Sequence, residues 1–167
     1  LQFSHTVLLL FSWVILLYYV GGKISIDEKT TKRLFLILLL PLFYVIHIYV
    51  AREVFSPEHI VESTQLMKYG GLFSVPLGLV ITWAVLSSKL DKNDENGAAK
   101  GALITSIILF ATGGIIGFLI HGVNVVIPAH YHGSIVGVTL AFMGIAYYLL
   151  PKFGYRKPVW KMARLQP

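Results

Sequence analysis

The stretch Gly101–Pro151, GALITSIILFATGGIIGFLIHGVNVVIPAHYHGSIVGVTLAFMGIAYYLLP, runs for 51 residues without one Asp, Glu, Lys or Arg. A helix of about 20 apolar residues crosses a hydrocarbon core of roughly 30 Å, so this run is too long for one span and long enough for two. It is interrupted near its middle by His121, Gly122, Asn124 and Pro128. The pattern predicts a helical hairpin, with one span over about 102–120 and another over about 129–150. Helices are required because a backbone surrounded by lipid has no water to bond.

Three more charge-free stretches precede the hairpin, Leu1–Gly22, Leu34–Ala51 and Tyr69–Ser88, and predict spans over about 1–20, 34–50 and 70–88. The expected fold is an all-α polytopic membrane helix bundle of five transmembrane helices, a single transmembrane domain over 1–167. A content of 56% hydrophobic and 13% charged residues, with a mean hydropathy of +0.72, excludes an ordinary soluble domain. The opening at Leu1 and the close at Pro167 read as an internal fragment of a longer chain. With no cysteine, disulfides, cysteine-ligated clusters and CxxCH haem attachment are excluded.

If the spans alternate in direction, loops 21–33 and 89–101 and the tail 152–167 share one side and hold 12 Lys/Arg, against 2 on the other. The positive-inside rule makes the basic side cytoplasmic. The net charge of +6 is then a topology signal and needs no nucleic-acid partner. The tail residues Lys152, Arg156, Lys157, Lys161 and Arg164 belong to that signal. On this orientation all six histidines, His5, His47, His59, His121, His130 and His132, fall in the outer half of the membrane.

Within Pro128-Ala129-His130-Tyr131-His132-Gly133, two histidines two residues apart on a helix are separated by about 200° around its axis. They cannot chelate one ion together, but they can hold one metal on each side of the helix. Haem irons suit such a pair, because each needs only one or two axial ligands from the protein. Two interfacial histidines near the bilayer surface are the competing reading. Gly113/Gly117 and Gly133/Gly137, each pair spaced by four, clear a helix face for tight packing or for a flat ring. Trp13, Trp83, Tyr18, Tyr19, Tyr147 and Tyr148 read as interfacial anchors.

The run Ala111–Tyr155 resembles the ninth and tenth helices of subunit I of the haem–copper oxidases and nitric oxide reductases. Upstream, Gly21-Gly22-Lys23 resembles the link from the sixth to the seventh helix, the helix ending at His47-Ile48-Tyr49 resembles the seventh, and Pro76 suits the eighth. The resemblance implies helices six to ten of a subunit with at least twelve. It assigns His130 to a high-spin haem at the catalytic centre and His132 to a low-spin haem that feeds it electrons. The family's seventh helix offers two adjacent histidines to a non-haem metal, copper in oxidases and iron in nitric oxide reductases. Here Ile46 precedes a single His47, so the resemblance offers His47 as one ligand and leaves that site one short.

The family's sixth-helix ligand would fall just before Leu1, which leaves His5 a structural or outer-surface role. His59 reads as a solvated loop residue, and His121 with Asn124 as loop residues near the region where the family handles haem propionates. No Asp, Glu or Lys lies in the expected spans, so a proton route would use Ser74, Thr82, Thr105, Ser106, Thr139, tyrosines and water. Pro41 is expected to bend its helix.

The implied function is a terminal respiratory oxidase that reduces oxygen to water. The alternatives are a nitric oxide reductase, a haem-carrying electron-transfer subunit without gas chemistry, and a structural subunit with vestigial motifs. Expected partners are the lipid bilayer, other helices or subunits of a respiratory complex, and a cytochrome, cupredoxin-type or quinol electron donor. The expected location is a bacterial or archaeal plasma membrane.

Overall fold

The computed structural model describes residues 2–90, 96–122 and 125–156, with side chains from Ser4 onward. Lys92, Asn124, Lys157, Lys161 and Arg164, which figured in the loop and tail readings, lie outside the described residues. The chain is all-helical, with no strand among the described residues: α1 (Gln2–Tyr19), α2 (Glu28–Ala51), α3 (Pro57–Tyr69), a 3-10 turn (Gly70–Ser74), α4 (Val75–Ser87), α5 (Gly97–Phe118) and α6 (Val126–Lys152). Four segments, Glu28–Ala51, Pro57–Ser87, Gly97–Phe118 and Val126–Lys152, are long and apolar enough to cross a membrane, and Ser4–Tyr19 is a shorter apolar helix. These helices mark a membrane protein in contact with a lipid bilayer.

Two boundaries differ from the hydropathy reading. The second helix begins at Glu28, because the Asp27 carboxylate caps it by accepting from the Thr30 backbone N–H at 3.1 Å. Residues 28–33, four of them charged, add a polar first turn and a half to an apolar helix. The third segment begins at Pro57, where the Ser56 hydroxyl accepts from the His59 N–H at 3.1 Å. Gly70-Gly71 then tightens the helix into a 3-10 turn instead of ending it. His59 is thus on a helix and half-buried, which corrects the loop assignment. Helix α2 continues unbroken through Pro41.

The molecule forms two compact units, 25–80 and 1–24 with 81–167. In the first, Leu34, Leu38, Pro41 and Ile48 form the buried stripe of α2, and α2 meets α3 and the 3-10 turn. The Arg52 guanidinium donates to Glu62 Oε1 from Nε at 3.0 Å and from Nη2 at 2.6 Å.

The second unit is built on the α5–α6 hairpin, with α1 against both helices. Helix α1 supplies the apolar stripe Leu9, Leu10, Trp13, Leu16 and Leu17, and buried Val20 follows its end. It ends in a left-handed Gly21 (φ 82°), whose turn lets the Gly22 N–H reach Leu17 O at 2.8 Å. Leu16 seats on Gly144 of α6, where a Cβ would lie 2.8 Å from Leu16 Cδ1. Trp13 is not an interfacial anchor: it is buried, its ring meets Phe110 edge-on at 5.8 Å, and Nε1 donates to Ser106 Oγ at 2.8 Å. A buried indole N–H needs an acceptor, and Ser106 on α5 provides it.

Candidate functional site

Small residues bring the backbones of α5 and α6 into contact. A Cβ on Gly113 would lie 2.5 Å from the Ser134 nitrogen and 2.9 Å from the Gly133 carbonyl carbon. One on Gly133 would lie 2.8 Å from Gly113 Cα, and one on Gly137 2.9 Å from the Phe110 nitrogen. Gly113, Gly133 and Gly137 therefore serve helix packing, the first of the two roles their spacing allowed. Gly117 is different, because its missing side chain makes room for the His130 ring, which a Cβ there would strike.

His130 enters the hairpin from the second turn of α6. Its Nδ1 lies 2.7 Å from Gly113 O and 3.4 Å from Ser134 Oγ. A carbonyl oxygen only accepts, so Nδ1 carries the proton and donates it, and the Nε2 lone pair is left available. No hydrogen bond engages His130 Nε2 among the described residues. His132 is exposed, and its Nδ1 donates to Pro128 O, one turn back on the same helix, at 2.8 Å. The two rings leave the helix in different directions, one into the α5 groove and one outward, as their spacing predicted. Tyr131 between them is exposed and tilts against His130, with ring centroids 5.3 Å apart.

This donor set fits an axial haem ligand. A metal-ligating histidine binds through one ring nitrogen while the other donates to a carbonyl or carboxylate, which fixes the tautomer and raises ligand basicity. Both histidines have that second bond in place. Among the described residues no group of three or more His, Cys, Asp or Glu stands together, so an ion held by side chains alone has no cage here. A haem iron asks for one ligand at each site.

The other candidates lie on other elements. His47 lies on α2 in the unit 25–80, exposed and stacked on Tyr44 at 5.9 Å between ring centroids. His5 is exposed on α1, and His121 is exposed in the turn after α5. His59 meets Tyr49 edge-on at 5.3 Å, and its Nδ1 is sheltered without a hydrogen bond in the structure.

The sequence reading missed the buried Ser106, whose hydroxyl donates to Gly137 O at 2.6 Å. It treated Ser106 as a possible proton carrier, whereas the structure engages its hydroxyl with Trp13 and Gly137. The signal was available in the spacing, since Ser106 precedes Gly113 by seven residues and Gly137 follows His130 by seven.

A helical membrane protein is the class that the fold defines, with His130 and His132 as its candidate site. No family model matches the chain, and no solved structure matches it. Among curated proteins it is similar to an uncharacterized protein of Rickettsia prowazekii (strain Madrid E), 32% identical over 177 aligned residues that cover 88% of this chain and 34% of that protein. It is also similar to an uncharacterized protein of Aquifex aeolicus (strain VF5), 21% identical over 166 residues that cover 99% of this chain and 40% of that protein. The chain thus spans between a third and two fifths of the length of these relatives.

Proposed function

We propose that the chain is the haem-bearing part of the catalytic subunit of a terminal respiratory oxidase. The observation that carries this reading is the paired bond pattern: His130 and His132 leave α6 in different directions, and each gives its Nδ1 proton to a backbone carbonyl and keeps Nε2 for a metal. His130 would hold the haem of the catalytic centre and His132 the haem that supplies it. When bound, haem iron would supply one-electron redox chemistry and, on the His130 side, the binding of a gas.

The chain's own residues orient those ligands. Gly117 admits the His130 ring, Gly113 O fixes its tautomer, and Pro128 O does the same for His132. The charge pattern supports a plasma-membrane placement with loops 21–33 and 89–101 and the tail 152–167 in the cytoplasm. Five apolar helices in a chain that spans 34 to 40% of its relatives scale to about a dozen or more for the whole, in keeping with a subunit I fold.

A haem-carrying subunit without gas chemistry is favoured by one observation, the exposed His47 with Ile46 beside it in place of a second histidine. Spectra of the full-length protein in membranes separate the readings. The oxidase reading expects a reduced haem spectrum in which carbon monoxide shifts one component. A reduced spectrum indifferent to carbon monoxide leaves only electron transfer, and a protein without haem bands overturns both. Iron without copper beside the haems would identify nitric oxide as the gas.

A further inference from the structure

The Ser106 hydroxyl is completely buried, accepts from Trp13 Nε1 on α1 at 2.8 Å and donates to Gly137 O on α6 at 2.6 Å. Inside a helix, Gly137 O has an intrahelical partner, so the hydroxyl takes its second lone pair and acts as a clamp between helices. A second hydrogen bond joins α5 to α6, from His130 Nδ1 to Gly113 O. Ser106 lies seven residues before Gly113, and Gly137 lies seven residues after His130. Seven residues are about two turns and roughly 10.5 Å of rise. In an antiparallel pair the two bonds therefore lie on one seam, separated by the same rise along both helices. Along the same seam Gly113, Gly133 and Gly137 bring the two backbones into contact, which resists a slide. Neither bond can change register without the other.

We propose that Ser106 is a positioning residue: it holds the α5–α6 register in which Gly113 O accepts the His130 Nδ1 proton, and so sets the donor strength of His130 Nε2 independently of His132. The asymmetry follows from where each acceptor lies. The His130 acceptor belongs to a neighbouring helix, whereas the His132 acceptor, Pro128 O, belongs to α6 itself and moves with it. A carbonyl accepting from Nδ1–H increases the basicity of Nε2, so loss of register weakens one ring as a ligand and leaves the other unchanged. The consequence for haem rests on the proposed function, but the hydrogen bond is a property of the chain itself.

The ring states are readable without haem. In the full-length protein, labelled with 15N-histidine and reconstituted haem-free in bilayers, His130→Ala and His132→Ala assign the two signals. The wild type is expected to show both rings as the Nδ1–H tautomer. Ser106→Ala should turn His130 into a mixture of tautomers and leave His132 in place. Ser106→Cys, a weaker donor, should move His130 in the same direction by less, and it decides the matter if the alanine variant does not accumulate. Trp13→Phe removes the indole donor but keeps the Ser106–Gly137 bond, and should leave both rings as they were. The positioning role is overturned if both Ser106 variants leave His130 unchanged, if they move both rings alike, or if Trp13→Phe matches Ser106→Ala. In the haem-loaded protein the same loss should raise one midpoint potential and spare the other. A full-length protein that takes up no haem overturns the functional reading, and the ring signals then still decide the role of Ser106.

Discussion

The α5–α6 hairpin and helix α2 are each apolar enough to cross a membrane but bury their surfaces in different ways. The hairpin closes through glycine, alanine and serine, with backbones in contact and hydrogen bonds across the seam from Ser106 to Gly137 and from His130 to Gly113. Helix α2 buries a narrow stripe of Leu34, Leu38, Pro41 and Ile48 and leaves Leu36, Phe43, Ile46, Tyr49 and Val50 more than half exposed. In lipid, apolar side chains gain nothing by leaving one hydrocarbon surface for another, so close packing and hydrogen bonds must supply helix association. By that rule the hairpin fixes its own geometry, and α2 keeps a broad face for lipid or for the rest of a longer protein. A side chain that must be held to within a fraction of an ångström belongs on the first kind of structure, and His130 is there.

The largest expected effect comes from putting volume into the seam. Gly113→Val sets a side chain against the Ser134 and Gly133 backbone, which cannot yield, and should cost about 3 kcal/mol or more of hairpin stability. Its neighbour is the control. Gly114 has nothing within 4 Å of a Cβ, so Gly114→Ala should be neutral or stabilise by up to about 1 kcal/mol through helix propensity. Steric trapping of the full-length protein in bicelles measures both, and equal losses would break the distinction between the two faces of α5. Gly117→Ala is more selective, because it strikes the His130 ring alone. On the proposed function it should alter one haem component and leave the His132 component intact.

Next in size is the buried hydroxyl. Ser106→Ala strands the Trp13 indole N–H and should cost about 1–3 kcal/mol, the usual cost of an unsatisfied buried donor. On the exposed face of α2, Phe43→Ala should change the stability of the protein in lipid by no more than about 0.5 kcal/mol. A loss comparable to that of Ser106→Ala would mean that a further helix of the full-length protein covers Phe43.

Much of this contrast was legible in the residues. The uncharged run with its central break gave the hairpin, and the spacing of His130 and His132 gave their divergence. Hydropathy alone could not show that Glu28–Arg33 continue a helix, since a capped polar turn is invisible to an apolar window. His59 was placed in a loop for the same reason. Trp13 went to the interface because that is where membrane tryptophans concentrate, and only its burial against α5 reveals otherwise. The Ser106–Gly137 bond depends on register. Once the turn between α5 and α6 is located, residues at equal distances from it come opposite each other, which pairs Ser106 with Gly137 and Gly113 with His130.

The smallest expected effect uses pH to separate the two regions. The hydrogen bonds from Thr30 to the Asp27 carboxylate, at the start of α2, hold it below its ordinary pKa of 3.8. A carboxylate whose folded pKa is lowered contributes stability that is complete above the unfolded value and is lost as pH falls through the folded one. The first turn of α2 should therefore fray only below about pH 3.8, seen as faster amide exchange at Thr30. Asp27→Asn keeps a capping side chain and removes the charge, so it should abolish this pH dependence without abolishing the cap. Helices α5 and α6 contain no Asp or Glu, and their exchange should not change over the same acidic range. If the hairpin frayed together with α2 as carboxylates are protonated, the two regions would not be independent in stability, and the seam could not hold His130 by itself.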